Sequence, residues 1–273
     1  MTDKYAVIGN PIAHSKSPQI HMMFAGQTRQ DISYEAIEAP LDGFAARLMA
    51  LREKGYKGCN VTVPFKFEAF KLATRLSALA EAAQAANTLR FNFDGDTILG
   101  DNTDGTGLVR DIRVNLGMAL NNKRVLLIGA GGAAYGVALP LADAGAKLTI
   151  VNRTADKARL LAASLSSLDS IIPSGNFDDV AGRQFDAVIN ATSAGLSGGE
   201  LPLPPTCFAP GALAYDMMYG RETPFMQFAR EHGAARVSDG LGMLVEQAAE
   251  SFLIWRGVRP ETAPVIKALR KYQ

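Results

Sequence analysis

The sequence predicts a two-domain α/β protein, on three observations. Strand-like apolar runs alternate with helical patterns from one end of the chain to the other, the pattern of sheets covered by helices. At 273 residues the chain is long for one core and comfortable for two. In mid-chain a glycine-rich turn directly follows a four-residue apolar run and opens a helical pattern.

Taken in order, Tyr5-Ala-Val-Ile reads as a strand, and Pro18 to Gly26 as a helix with Ser17 as N-cap and Pro18 at its first position. A strand near Ile32 to Ile37, a helix from Leu41 to Leu51 and a strand from Lys57 to Val63 follow, then two alanine-rich helices between Phe65 and about Ala85. Asp94-Gly95, between Leu89-Arg-Phe-Asn-Phe and Thr97-Ile-Leu, is a hairpin signal. From Arg124 a second series starts, with strands at Val125 to Ile128, Leu148 to Val151, Phe185 to Asn190 and Ala212 to Asp216 and helices between them. Such a series implies a parallel sheet covered on both faces. An apolar helix runs from Asp239-Gly-Leu-Gly to Trp255, with Leu244, Ala248, Phe252 and Trp255 as its core stripe, and a short helix over Glu261 to Lys271 closes the chain. The joins between domains fall near Asp104 and Gly240, where a helix at each crossing could act as a hinge.

Composition narrows the class. A formal charge of +1 argues against nucleic acid or a membrane surface held by bulk electrostatics. The two cysteines, Cys59 and Cys207, lie far apart without CxxC or metal-ligand spacing, so neither a disulfide scaffold nor a metal site is expected. MTDKYAVIGN lacks the basic start and apolar run of a signal peptide, which leaves the cytoplasm as the expected compartment. Val125 to Ala142 carries no charge, but its GAGGAAYG centre marks strand, turn and helix, not a bilayer helix.

Gly129 to Ala134 spells G-x-G-x-x-A behind Val125-Leu-Leu-Ile. Gly129 permits the tight turn, Gly131 lets a pyrophosphate approach the backbone, and Ala134 lets helix and strand pack closely. The free N–H groups at the helix start then face phosphates. At the end of the next strand, where NAD-binding folds usually carry Asp or Glu, stand Asn152-Arg153-Thr154, with Lys157 one turn later. A carboxylate would repel a ribose 2′-phosphate; Arg153 can fork onto it and Thr154 can donate. Charge-assisted bonds worth on the order of 1.5–3 kcal/mol each favour NADP over NAD by tens of times or more. Thr154 as a plain helix N-cap is the competing reading, and the two are compatible.

The N-terminal half concentrates uncharged polar groups beside glycine and proline: Asn10-Pro-Ile-Ala-His-Ser-Lys-Ser-Pro, Asn60-Val-Thr-Val-Pro-Phe-Lys, Ala86-Asn-Thr-Leu and Gly100-Asp-Asn-Thr-Asp-Gly. The strand period puts Asn60 and Thr62 on one face. Lys66 starts a helix, a poor place for a structural cation and a suitable one for a proton donor. With Asn190-Ala-Thr-Ser-Ala-Gly, Tyr215-Asp-Met-Met-Tyr and Asp239-Gly-Leu-Gly-Met-Leu-Val-Glu-Gln-Ala, these motifs resemble, in order and over essentially the whole chain, those of the shikimate dehydrogenase family.

The resemblance implies a substrate domain built from both chain ends, 1–104 plus 240–273, and a Rossmann-type doubly wound NADP domain over 105–239. It implies that Ser15 and Ser17 hold a substrate carboxylate, that Asn60, Thr62, Asn87, Asp104 and Gln247 read ring hydroxyls, and that Lys66 and Asp104 form the catalytic pair. Tyr219 would lie beside the substrate, Met217 and Gly240 beside the nicotinamide. Gly129, Ala130, Gly131, Gly132, Ala133, Asn152, Arg153, Thr154, Lys157 and Thr192 would hold the rest of NADP. The reaction implied is reversible reduction of 3-dehydroshikimate to shikimate, by a monomer or homodimer whose only partners are small molecules. A quinate- or NAD-using paralogue and a non-catalytic NADP sensor are the alternatives. The chain departs from the family's pattern at Ala78, Gln84, Ala86 and Tyr135, where an acid, glycine, valine and a basic residue respectively are common. None of these removes a catalytic group, but Tyr135 leaves the phosphate grip more dependent on backbone N–H groups.

Overall fold

The computed structural model describes residues 2–92, 97–165, 171–192 and 201–271. The chain forms two compact units, one running to Gly107 and resuming at Val245, the other Leu108–Leu244. Each boundary lies a few residues beyond the join expected from the sequence.

The first unit holds β1 (Asp3–Gly9), α1 (Ser17–Thr28), β2 (Ile32–Glu38), α2 (Phe44–Glu53), β3 (Tyr56–Val61), α3 (Lys66–Leu72), β4 (Arg75–Leu76), α4 (Ala78–Ala83), β5 (Thr88–Asn92) and β6 (Thr97–Asp101). The start of α5 (Asp104–Arg110) follows, and most of α9 (Leu241–Arg256) and all of α10 (Ala263–Arg270) complete it. Its sheet runs β2-β1-β3-β5-β6-β4 and is mixed: β1 pairs parallel with β2 and β3, whereas β5 pairs antiparallel with β3 and β6. The hairpin ladder runs from Thr88↔Asp101 to Asn92↔Thr97; the Asp94-Gly95 turn expected there lies outside the described residues.

Phe44, Leu48, Val61, Phe65, Leu89 and Ile98 share one buried cluster. A second group is aromatic, with His21 and Phe24 of α1, Tyr34 of β2 and Phe252 and Trp255 of α9 in ring contact. Trp255 stacks on Tyr5 and donates its indole N–H to Leu89 O at 3.0 Å. The predicted stripe of Ala248, Phe252 and Trp255 is buried, while Leu244 is half-buried. α10 is tied to α9 by Glu246, a fully buried carboxylate that takes Arg259 at 2.7 Å and the Thr262 hydroxyl at 2.7 Å. Removing Arg259 would take the countercharge from a buried carboxylate, a costly change.

Two local expectations need correction. Ser17 is not the cap of α1. The chain already turns at Ser15, whose N–H donates to Ile12 O, and Lys16 has helical angles, so the helix starts one residue early. The Ser15 hydroxyl accepts the Ser17 N–H instead. β3 ends at Val61, so strand alternation does not set the direction of Thr62. The two alanine-rich helices expected after Phe65 are α3 and α4, with the short strand β4, which pairs with β6, between them. Gln84, where the resemblance expects glycine, closes α4 with φ +50, a left-handed conformation that costs a non-glycine residue about 1 kcal/mol.

The second unit holds β7 (Arg124–Ile128), α6 (Gly132–Asp143), β8 (Lys147–Val151), α7 (Ala155–Ser164), β9 (Ser174–Gly175), β10 (Phe185–Asn190), β11 (Phe208–Asp216), α8 (Pro224–Glu231) and β12 (Arg236–Ser238). Its sheet is parallel throughout, in the order β12-β11-β10-β7-β8-β9. Neighbouring residues on a strand feed opposite cores: Val125, Leu127, Ala187 and Ile189 one, Leu126, Ile128 and Val188 the other. That is the doubly covered parallel sheet the sequence predicts. β9 and β12, of two and three residues, are too short to leave a sequence signal. Among the described residues no helix is long and apolar enough to cross a membrane.

His21 is fully buried and stacks on Tyr34 with centroids 4.2 Å apart; neither ring nitrogen reaches hydrogen-bond geometry with a partner among the described residues. Burial pushes its pKa down to about 3, which the nearby Asn60 amide only partly offsets. The unfolded chain therefore binds a proton near pH 6.5 that the folded chain refuses, so stability is full above that pH and falls as pH drops towards 3. In urea unfolding followed by the single tryptophan, Trp255, His21→Phe is expected to flatten the loss between pH 6 and 4 by about 1 kcal/mol per pH unit. Parallel curves for the two proteins would refute this.

Candidate active site

In the first unit two helix starts present opposite charges. Lys66 opens α3 and Asp104 opens α5, and Lys66 Nζ donates to Asp104 Oδ2 at 2.6 Å. Asp104 is buried on its other side, where Oδ1 accepts from Asn87 Nδ2 at 2.8 Å and its own N–H donates to Asn102 Oδ1 at 3.2 Å. The ammonium is the more open partner, with 28% of the side chain exposed against 12% for the carboxylate. This arrangement can hand a proton to an oxygen placed at Lys66 while the carboxylate holds the amine and accepts from a neighbouring hydroxyl.

Asn87, just before β5, is oriented without ambiguity: its Oδ1 accepts the Thr103 main-chain N–H at 2.9 Å, so its Nδ2 must face Asp104. Asn60, at the end of β3, donates through Nδ2 to Asn87 O, Thr88 Oγ1 and Ser251 Oγ at 3.1, 3.2 and 2.9 Å, and accepts from Tyr34 OH at 2.7 Å. Both its amide protons are therefore committed within the protein. Gln247, half-buried on α9, brings Oε1 to 3.3 Å from Asn87 Nδ2 and 3.4 Å from Thr103 Oγ1. Burial raises the Tyr34 phenol well above its usual pKa, Cys59 adds to the rise and the Ser17 hydroxyl opposes it. Ser17, Tyr34 and Asn60 thus meet in one place. Ser15 is half-buried, Thr62 half-buried beside Gly9, and His14 exposed.

The second unit offers a nucleotide-binding geometry. Strand order reverses between β7 and β10, and ligands of such sheets sit outside the carboxyl ends at that switch. Gly129 follows β7 with φ +114, and a side chain there would press on Ala191 O and Thr192 Cγ2, each 3.1 Å from an added Cβ. Gly131, Gly132 and Ala133 are exposed at the start of α6, and an added Cβ at Gly131 would meet nothing within 4 Å. Open space over free helix-start N–H groups fits a pyrophosphate. Beyond β8, Asn152 Nδ2 donates to Thr154 O at 3.0 Å. Thr154 holds the cap position of α7, but its hydroxyl makes no cap bond. Arg153 and Lys157 are exposed, and among the described residues Arg153 has no ion pair, so the group fits a 2′-phosphate.

Thr192 donates N–H and Oγ1 to Asn190 Oδ1 at 3.0 and 2.7 Å; Asn190 donates to Asp216 Oδ2 at 3.1 Å; and Asp216 accepts Met218 N–H at 2.9 Å. Burial raises the Asp216 carboxyl, opposed by these donors and Thr223. The chain of bonds links the glycine turn to the segment of Met217 and Tyr219. Gly240 abuts Met217, whose carbonyl oxygen any side chain at Gly240 would strike. Tyr219 is half-buried, and burial raises its phenol. No group of three or more His, Cys, Asp or Glu that could hold a metal occurs among the described residues.

Comparison with known proteins decides the family. The family model described as "Shikimate dehydrogenase substrate binding domain" matches residues 7–89, "Shikimate / quinate 5-dehydrogenase" matches 112–197, and "Shikimate 5'-dehydrogenase C-terminal domain" matches 240–270. A curated relative from Methylobacillus flagellatus, named Shikimate dehydrogenase (NADP(+)), is 61% identical over 98% of this chain and 99% of its own. The chain belongs to the shikimate dehydrogenase family. Two solved structures agree. The Ael1 enzyme of Pseudomonas putida is 50% identical with a TM-score of 0.93, each chain covered to 98%. The shikimate 5-dehydrogenase of Thermus thermophilus, in complex with NADP(H) and shikimate, is 30% identical with a TM-score of 0.87 over the whole of both chains.

Within this family frame, sequence reasoning missed Tyr34, Thr88, Thr103 and Ser251 in the first unit and Asn190 and Asp216 in the second. Ser251 had a usable signal, four residues after Gln247 and so on the same helical face. Thr88 had none, since it follows Asn87 immediately. For the cofactor end, Arg153→Ala is expected to raise KM for NADP by tens of times while leaving stability within about 0.5 kcal/mol, as for an exposed unpaired side chain. Steady-state kinetics with NADP and NAD check this; an unchanged KM for NADP would free Arg153 of the role.

Proposed function

We propose that this chain catalyses the reversible NADP-dependent reduction of 3-dehydroshikimate to shikimate. The observation that carries the proposal is the Lys66–Asp104 pair, backed by Asn87, in a chain so similar to enzymes named for this reaction. Ser15 and Ser17 hold the ring carboxylate through their hydroxyls. Thr62, Asn87 and Gln247 read ring hydroxyls; Asn60, its amide already engaged, acts from behind them. Tyr219 lies against the substrate, and Met217 and Gly240 border the nicotinamide. The Gly129–Ala133 turn, Asn152, Arg153, Thr154, Lys157 and Thr192 hold the remainder of NADP. The cofactor supplies the hydride.

The protein's own work is electrostatic. As hydride reaches the carbonyl carbon, negative charge grows on its oxygen, and a donor must meet that charge as it develops. Lys66 ammonium donates the proton there. Asp104 holds the amine in line and accepts from the adjacent ring hydroxyl, and in the oxidation direction neutral Lys66 takes the proton back. The buried free thiols of Cys59 and Cys207 suit a reducing compartment, so we place the enzyme in the cytoplasm, as a monomer or homodimer.

Initial rates at 340 nm with shikimate or quinate, each with NADP or NAD, test the proposal; shikimate with NADP is expected to lead by more than tenfold, and equal rates would overturn the assignment. Lys66→Ala is expected to lower kcat by roughly 10²–10⁴-fold, the usual worth of general acid assistance, with a much smaller change in KM. An unaltered kcat would remove Lys66 from the mechanism.

A further inference from the structure

Between the buried amides of Asn60 and Asn87 lies a cluster of hydroxyls that the reaction does not itself require. Thr88 Oγ1 is 2.9 Å from Asn87 Oδ1, 3.2 Å from Asn60 Nδ2 and 2.7 Å from Ser251 Oγ, and Ser251 Oγ lies 3.1 Å from Gln247 O. Thr88 is 1% exposed and Ser251 fully buried. Buried polar groups weaken a fold unless every partner is satisfied, and a satisfied set fixes one arrangement.

The direction of each bond on the path from Tyr34 to Asp104 follows from groups that can only accept. Asn60 Nδ2 faces the main-chain carbonyl of Asn87, which can only accept, so Asn60 Oδ1 must be the atom that receives the Tyr34 hydroxyl. Thr88 then accepts from Asn60 and donates to Asn87 Oδ1, the atom already fixed as an acceptor by Thr103 N–H, with the Ser251 hydroxyl as the donor in its 2.7 Å contact with Thr88. Asn87 Nδ2 donates onward to Asp104 Oδ1, whose other oxygen holds Lys66. From Tyr34 to Asp104 every bond points the same way, towards the carboxylate.

We infer that Thr88 is a positioning residue: its hydroxyl, with Asn60 and Tyr34 behind it, fixes the Asn87 amide that holds the Asp104 carboxylate beside Lys66. This rests on the proposed roles of Lys66 and Asp104. Thr88 touches neither partner of the ion pair; it acts through Asn87. A role confined to stability would predict a lowered unfolding temperature with unchanged turnover.

The test compares Thr88→Val, which keeps the branched shape and loses the hydroxyl, with Thr88→Ser, which keeps the hydroxyl. Thr88→Val is expected to lower kcat roughly tenfold, the rate equivalent of one hydrogen bond, with KM for NADP within about twofold of the parent; Thr88→Ser is expected to restore kcat to within about twofold. A Thr88→Val enzyme as fast as the parent, a serine variant as slow as the valine one, or a KM for NADP rising in step with the loss would each overturn the inference. Tyr34→Phe, on another strand, is expected to lower kcat in the same direction; should Thr88→Val fail to fold, an undiminished kcat in Tyr34→Phe overturns it. If the parent chain does not oxidise shikimate with NADP, the proposed function fails; if it does and the variants match it, only this inference fails.

Discussion

The site depends on one ion pair, Lys66 to Asp104, and on how unequally its partners are buried. An ammonium at the first position of a helix meets the positive end of the peptide dipoles, whereas a carboxylate at a helix start is favoured. Placing both charges at helix starts therefore leaves Lys66 to be held chiefly by Asp104 and Asp104 to be held by several groups at once. The result is a fixed anion with a cation that is held but accessible, which is what proton transfer to an approaching oxygen needs. With one partner buried and the other partly open, the pair is placed to serve the proton transfer proposed for it.

The two units solve different problems with related architectures. In the first, antiparallel pairing of β5 with β3 and β6 brings Asn87, Thr88 and the Asp101–Asp104 turn together with Asn60. In the second, parallel order reverses beside β7, and the glycine turn with Thr192 occupies that reversal. There the buried Asn190–Asp216 pair performs for the cofactor loops a service like that of Asn87 for the carboxylate: a single orientation set by unambiguous donors and acceptors.

What the sequence disclosed follows from how local each signal is. The G-x-G-x-x-A turn was legible because strand, turn and helix are adjacent in the chain. The core strands of the second unit were legible because each is a short, mostly apolar run set off by helical stretches. Arg153 and Thr154 were legible because their place is fixed by the end of β8. Lys66 and Asp104 stand 38 residues apart, and only the family resemblance paired them; no spacing rule joins two helix starts. Ser17 was misplaced as a cap because the early turn at Ile12–Ser15 has no sequence signature. The hydroxyls of Thr88 and Ser251 stayed hidden for the opposite reason to the glycines: their significance is a meeting of residues 163 positions apart.

The most direct test of the paired roles is a double-mutant cycle on kcat with Lys66→Met, Asp104→Asn and the combination, each near-isosteric with the residue it replaces. If ammonium and carboxylate act on substrate as one unit, the double variant loses about as much as the worse single variant, since either change alone already disables the pair. Losses that multiply, so that the double variant is slower than either single one by the full factor of the other, would mean that the two groups work independently and would contradict the account.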